Sequence, residues 1–142
     1  MSSSASIHAG VPEAGRGIKT EHAYRFVTFK FTDDLKQIVV EEKGEREVTY
    51  DAFVAALPQD QVRFALYDFE TTTADDRSIA KIVLIAWTPD SAPLKEKMLL
   101  ASSREALKDS LGIAGGIEIQ ATHTHEIGRK AIEDQVLDSS RD

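Results

Sequence analysis

WTPDSAPLKEKMLLASSREAL, Trp87 to Leu107, opens with turn chemistry and ends as a strong helix former. Asp90, Ser91 and Pro93 supply a helix start, and Gly112 supplies a stop. The span predicts roughly five turns at about 3.6 residues each, the longest helix of the chain. Its apolar residues change phase. Leu94, Met98 and Ala101 share one face, while Leu100, Leu107 and Leu111 share another about 120° away at ~100° per residue. A bend near Ser102 and Ser103 would reconcile the two stripes, with those hydroxyls bonding back to the preceding turn. Lys95 and Lys97 leave an apolar strip of Leu94 and Met98 between two cations. A flexible Met flanked by Lys suits insertion into a partner's groove, with the charges holding register. The plainer reading puts Leu94 and Met98 in the core and leaves the lysines to solubilise the helix. The pattern alone favours the plainer one.

Before this helix lie the two most apolar segments, VRFALYDFE (Val62 to Glu70) and KIVLIAWT (Lys81 to Thr88), which read as central strands covered on both faces. TTTADDRSIA between them reads as a polar loop. YRFVTFKF (Tyr24 to Phe31) alternates as a half-buried strand should, and QIVVEEKGERE gives a second strand with a turn near Gly44. Thr49 or Asp51 caps a short helix carrying Phe53, Val54 and Leu57, which Pro58 ends.

After the glycine-rich turn GIAGG come a short strand, IEIQA, a C-terminal helix starting near His125, and a frayed tail from Leu137 to Asp142. At the other end, Ile7, Val11, Ala14 and Ile18 recur at helical spacing, but three glycines and Pro12 make that helix marginal after a loose arm. The arrangement predicts an α/β (α+β) fold, a central five-stranded mixed sheet sandwiched between helices. Residues 1–17 form the arm and weak first helix, 18–138 a single domain, and 139–142 the tail.

Composition bounds the function. The 142 residues suit one domain, and the absence of Cys excludes a disulfide framework, a thiolate metal site and a cysteine nucleophile. The longest apolar run, Ile82 to Trp87, is too short to cross a bilayer, and the N-terminus lacks the pattern of an export signal. A soluble, cytoplasmic, monomeric protein is expected. A formal charge of -7 argues against nonspecific nucleic-acid binding, which needs a basic surface.

Three motifs invite enzymatic or metal readings. GRGIKT (Gly15 to Thr20) imitates a phosphate loop, but Ile18 breaks the needed contiguity and no buried strand precedes it. His123, His125 and Glu126 resemble part of a metal site without an identifiable further ligand. Ser102 and Ser103 lie inside a helix rather than on a strained elbow, so no nucleophile is indicated. No enzyme, cofactor or metal is expected.

YDAFVAALP (Tyr50 to Pro58), RFALYDFE (Arg63 to Glu70), KIVLIAWTPDSAP (Lys81 to Pro93), KEKMLLASSREAL (Lys95 to Leu107) and IQAT (Ile119 to Thr122) stand in one order along the chain. Together they resemble the ADF/cofilin family of actin-depolymerising proteins, from about Ile18 to Val136. The resemblance implies the actin-depolymerising-factor homology fold and a non-enzymatic protein of the actin cytoskeleton, in the cytoplasm with the nucleus as a second location. Such proteins bind actin monomers and filaments, prefer the ADP state, and twist and sever filaments. By that resemblance the long helix is the principal actin contact, with Leu94, Lys95, Lys97 and Met98 at monomer-binding positions. A regulatory serine near the N-terminus is implied too, for which Ser3 and Ser6 are the candidates. Phosphate there would weaken binding to an acidic actin surface.

The family's filament contacts fall on basic residues before its fourth strand and on a basic C-terminal helix. Here Lys81 is retained, Ile79 fills the neighbouring position, and Arg77 is the nearest substitute. Glu133, Gln135 and Asp138 stand where members place Arg or Lys, which predicts weak filament-side binding. Phosphoinositides, implied as further ligands, would be met by Lys95, Lys97 and Lys81. The alternatives are a homology-domain relative acting on branched-filament complexes and a small phosphate-handling enzyme using GRGIKT.

Overall fold

A computed structural model describes residues 4–113 and 115–139. Its elements are β1 (Ser6–Ile7), α1 (Gly10–Lys19), β2 (Phe26–Phe31), β3 (Gln37–Gly44), α2 (Tyr50–Ala55), β4 (Arg63–Thr72), β5 (Ser78–Trp87), α3 (Leu94–Leu111), β6 (Ile117–Ala121) and α4 (Arg129–Ser139). A single 3-10 turn, Thr124–Ile127, precedes α4. The strands form one sheet in the order β1-β3-β2-β4-β5-β6.

Alternation along β4 sorts the core into two layers. Phe64 and Leu66 face one side of the sheet, where Val11, Ala14 and Ile18 of α1 and Leu100, Leu107 and Leu111 of α3 cover them. Ala65, Tyr67 and Phe69 face the other, under Tyr50 and Phe53 of α2 and Ile132 and Val136 of α4. Both faces of the central strands are therefore dry, as their near-continuous apolar sequence requires. The antiparallel strands β4 and β5 pair from Arg63↔Trp87 to Thr72↔Ser78. Strands β5 and β6 run parallel, and α3 is the crossover between them.

The sheet has six strands rather than the expected five. The extra one is the two-residue β1, parallel to β3, where Ser6 N–H donates to Lys36 O at 2.9 Å and His8 N–H to Ile38 O at 3.0 Å. A two-residue strand is too short for any periodicity. Ile7, whose spacing suggested a helix, lies on this strand, and α1 starts at Gly10. TTTADDRSIA is likewise less of a loop than it reads. Its ends extend β4 to Thr72 and β5 back to Ser78, leaving a turn stabilised by Thr73 N–H donating to Arg77 O at 2.8 Å.

The glycines of α1, which weaken it as an isolated helix, are part of its packing. A side chain at Gly15 would stand 2.9 Å from Leu111 Cδ2 on α3, so glycine permits the close approach of the two helices.

Candidate functional site

The start of α3 is set by backbone geometry. Ala92 N–H donates to Pro89 O at 2.9 Å, and Pro93 is the N-cap, its carbonyl accepting from Glu96 and Lys97 N–H at 3.1 Å each. Ala92 is buried and acts as a plug that fixes the entry of the chain. At the other end Gly112 takes the left-handed conformation (φ 67°) that terminates the helix.

Between these limits the two apolar stripes separate cleanly. Leu100, Leu107 and Leu111 are buried, whereas Leu94 and Met98 are 71% and 64% exposed, the large hydrophobic side chains that stand out in solvent. The core reading of Leu94 and Met98 is thereby overturned. They lie at i and i+4 on the first turns of α3 and form an apolar knob. Lys95 is exposed beside them, and Lys97 Nζ donates to Asp90 O at 3.0 Å, which steadies its charge next to the loop.

Ser103, fully buried, does not bond back along its helix as its neighbour does. Its Oγ accepts from Ala5 N–H at 3.0 Å, whereas Ser102 Oγ donates to Leu99 O at 3.1 Å. The N-terminal segment is thus tied to the middle of α3. Ser6 is on β1 and its Oγ donates to Lys36 O at 3.1 Å, while Ser3 lies outside the described residues.

The segment after β6 abuts the start of α3. His123 Nε2 lies 3.4 Å from Asp90 Oδ2, and the rings of His123 and His125 stack with centroids 5.5 Å apart. Glu126 braces the turn with one carboxylate oxygen. Its Oε1 accepts from the N–H groups of Thr122 and His123 at 2.8 Å each. These bonds hold its carboxyl below the usual range, so the loop keeps its shape as pH falls through the region where an ordinary Glu gains a proton. Among the described residues no group of three or more metal-ligating side chains converges. Nor is any helix among them long and apolar enough to cross a membrane.

GRGIKT is helical rather than a phosphate loop, lying in α1 through Lys19 and ending at its cap, Thr20. Lys19 Nζ donates to Leu111 O at 3.2 Å and Gly112 O at 2.9 Å, satisfying carbonyls left open at the end of α3. Lys19→Ala is expected to lower stability by about 1 kcal/mol, a fall of a few °C in Tm by thermal denaturation. An unchanged Tm would show that the cap contributes nothing.

Arg77 and Lys81 lie apart from the knob. Arg77 sits at the β4–β5 turn, its Nε 3.2 Å from Asp75 Oδ2 in an exposed pair. Lys81 borders a hollow of about 360 Å³ with Lys19, Gly112 and Ile113, beside the C-terminal end of α3. Lys95 and Lys97 stand at the N-terminal end of this helix, which spans about 27 Å. One lipid headgroup cannot bridge all three lysines. On α4, Glu133 Oε2 accepts from Thr71 Oγ1 at 2.7 Å and Lys130 Nζ pairs with Asp134 at 3.0 Å, so part of its charge is internally neutralised.

Sequence reasoning named Asp90, Ser103 and His123 but not the contacts they make. Their partners are remote in sequence or are backbone atoms, so no local pattern marks them.

A mixed sheet thus lies between two helix pairs, and its long crossover helix presents an apolar knob flanked by two lysines. A family profile described as cofilin/tropomyosin-type actin-binding protein matches residues 4–137. The chain belongs to the ADF/cofilin family. It is 42% identical over 119 residues to actin-depolymerizing factor 3 of Zea mays, covering 83% of this chain and 84% of that one. Actin-depolymerizing factor 4 of Oryza sativa is 38% identical over 136 residues, covering 95% and 96%. Among solved structures, cofilin of Streptomyces griseoflavus is similar with a TM-score of 0.82 and 31% identity, covering 93% of this chain and 96% of that chain.

Proposed function

We propose that this protein binds ADP-actin monomers through the start of α3 and promotes filament disassembly and turnover, while holding filament sides weakly. The observation that carries the reading is the exposure of Leu94 and Met98, 71% and 64%, between Lys95 and Lys97. Such an apolar knob is costly to leave in water and suits a hydrophobic groove, and the flanking ammonium groups favour an acidic partner. The cytoplasmic actin cytoskeleton is the corresponding location. The role is binding and mechanical; no catalytic step is assigned to the site.

Arg77 and Lys81 form the weak filament side. From Glu126 to Asp142 the sequence carries five acidic and three basic residues, a net of -2, toward an acidic filament. Like charge slows association more than it alters specificity. Co-sedimentation with filaments beside a monomer titration tests the ranking. Monomer affinity is expected to exceed filament affinity by about tenfold, and tight filament decoration with poor monomer binding would overturn it. Phosphoinositide headgroups are assigned to Lys95 and Lys97 alone, so lipid and monomer compete for one end of α3.

A further inference from the structure

On the sheet face opposite α3, Arg25, Arg46, Tyr67, Glu70 and Arg129 line a hollow of about 280 Å³. Three of the eight arginines of an acidic chain meet there. Two of them are held rigidly. Arg25 Nη1 donates to Asp68 O at 2.8 Å and to Glu70 Oε1 at 2.7 Å. Arg46 Nη1 donates to Asp68 Oδ2 at 2.8 Å and to Tyr24 O at 3.0 Å, and its Nη2 to Glu70 Oε1 at 2.8 Å. Asp68, with 2% of its side chain exposed, is recessed behind Arg46 and also meets His22 Nδ1 at 3.0 Å. Arg129 lies over the ring of Phe69, 5.0 Å from its centroid, and has no carboxylate partner among the described residues.

Glu70 is the informative member. One of its oxygens bridges both fixed guanidinium groups, yet 52% of its side chain is exposed, against 18% for Arg25 and 32% for Arg46. It is a carboxylate resting at the rim, and Arg25 and Arg46 are also held by Asp68 and by Tyr24 O.

We propose that this hollow binds a phosphomonoester group, with Glu70 as its built-in competitor. A partner's carboxylate would exchange one monoanion for another and would face the high effective concentration of an intramolecular rival. A phosphate brings close to two charges and three acceptor oxygens, enough to engage Arg129 as well as Arg25 and Arg46 through their planar forks. Tyr67 adds a hydrogen-bond donor at the lining. Burial pushes its phenol up, so it stays protonated where phosphate is doubly charged. The hollow and α3 occupy opposite sheet faces, so a phosphate ester and an actin monomer can be held together.

The test titrates the full chain with O-phosphoserine and with inorganic phosphate at constant ionic strength, following the arginine Nε–H signals by NMR. Signals of Arg25, Arg46 and Arg129 are expected to move and saturate. Glu70→Gln should tighten binding by roughly tenfold, and Arg129→Gln, at an exposed helix start, should weaken it about fivefold with Tm retained. Arginine signals that stay still overturn the proposal. So does equal or weaker affinity in a folded Glu70→Gln, or unchanged affinity in Arg129→Gln. Vesicles of phosphatidylcholine with a phosphoinositide form a separate arm. Retention on them without any shift from the free esters overturns the site in favour of a membrane contact.

Discussion

Lys95→Glu combined with Lys97→Glu is expected to weaken binding of ADP-actin monomers by about a hundredfold while leaving the protein folded. Both positions are on the solvent side of α3, whose hold on the sheet comes from Leu100, Leu107 and Leu111. The fold loses only the bond from Lys97 Nζ to Asp90 O, a contact in solvent. At the partner's surface the change is larger, because two attractive charges become two repulsive ones beside the knob that must be desolvated. Added acid in the first turn also favours the helix dipole, which protects helicity. Calorimetric titration with monomers, alongside Tm, reads both quantities. A folded double variant with wild-type affinity would remove α3 from the actin contact.

The second large effect concerns stability. Gly44→Ala is expected to cost about 3 kcal/mol, roughly 10 °C in Tm. Gly44 pairs with Phe26 across β2 and β3, and a Cβ there would lie 2.0 Å from Phe26 Cε2. The ring cannot retreat easily. Phe26 is buried, with Phe53 at 5.0 Å between centroids and Phe53 in turn packed on Tyr67 at 4.9 Å. A β-carbon therefore displaces an aromatic cluster rather than one flexible side chain. Thermal denaturation measures the cost, and a loss below about 1 kcal/mol would mean that the cluster yields freely.

Gly44 also shows what a sequence conceals. Its flanking charges read as a turn, and turn residues are the ordinary place for glycine. The constraint is a contact across the sheet with a residue 18 positions earlier, and no local pattern contains it. By contrast α3 was legible at both ends, since Pro93 and Gly112 act through their own backbone torsions. Which of its stripes met water was not legible, because both are apolar and only the sheet decides. The central strands β4 and β5 were readable from their apolar runs, whereas β1 borrows its structure from the edge of β3. Leu94, Lys95, Lys97 and Met98 were readable as neighbours on the first turns of one helix. Lys81 was not readable as remote from them, because that depends on the crossover.

The bond between Ala5 N–H and Ser103 Oγ has a practical consequence for imaging. Anything joined ahead of Ser4 leaves the molecule from alongside the middle of α3, so a fluorescent reporter fused there would crowd the helix on which the proposed actin contact lies. A dye placed on the α4 side, under the opposite layer of the sheet, leaves α3 clear.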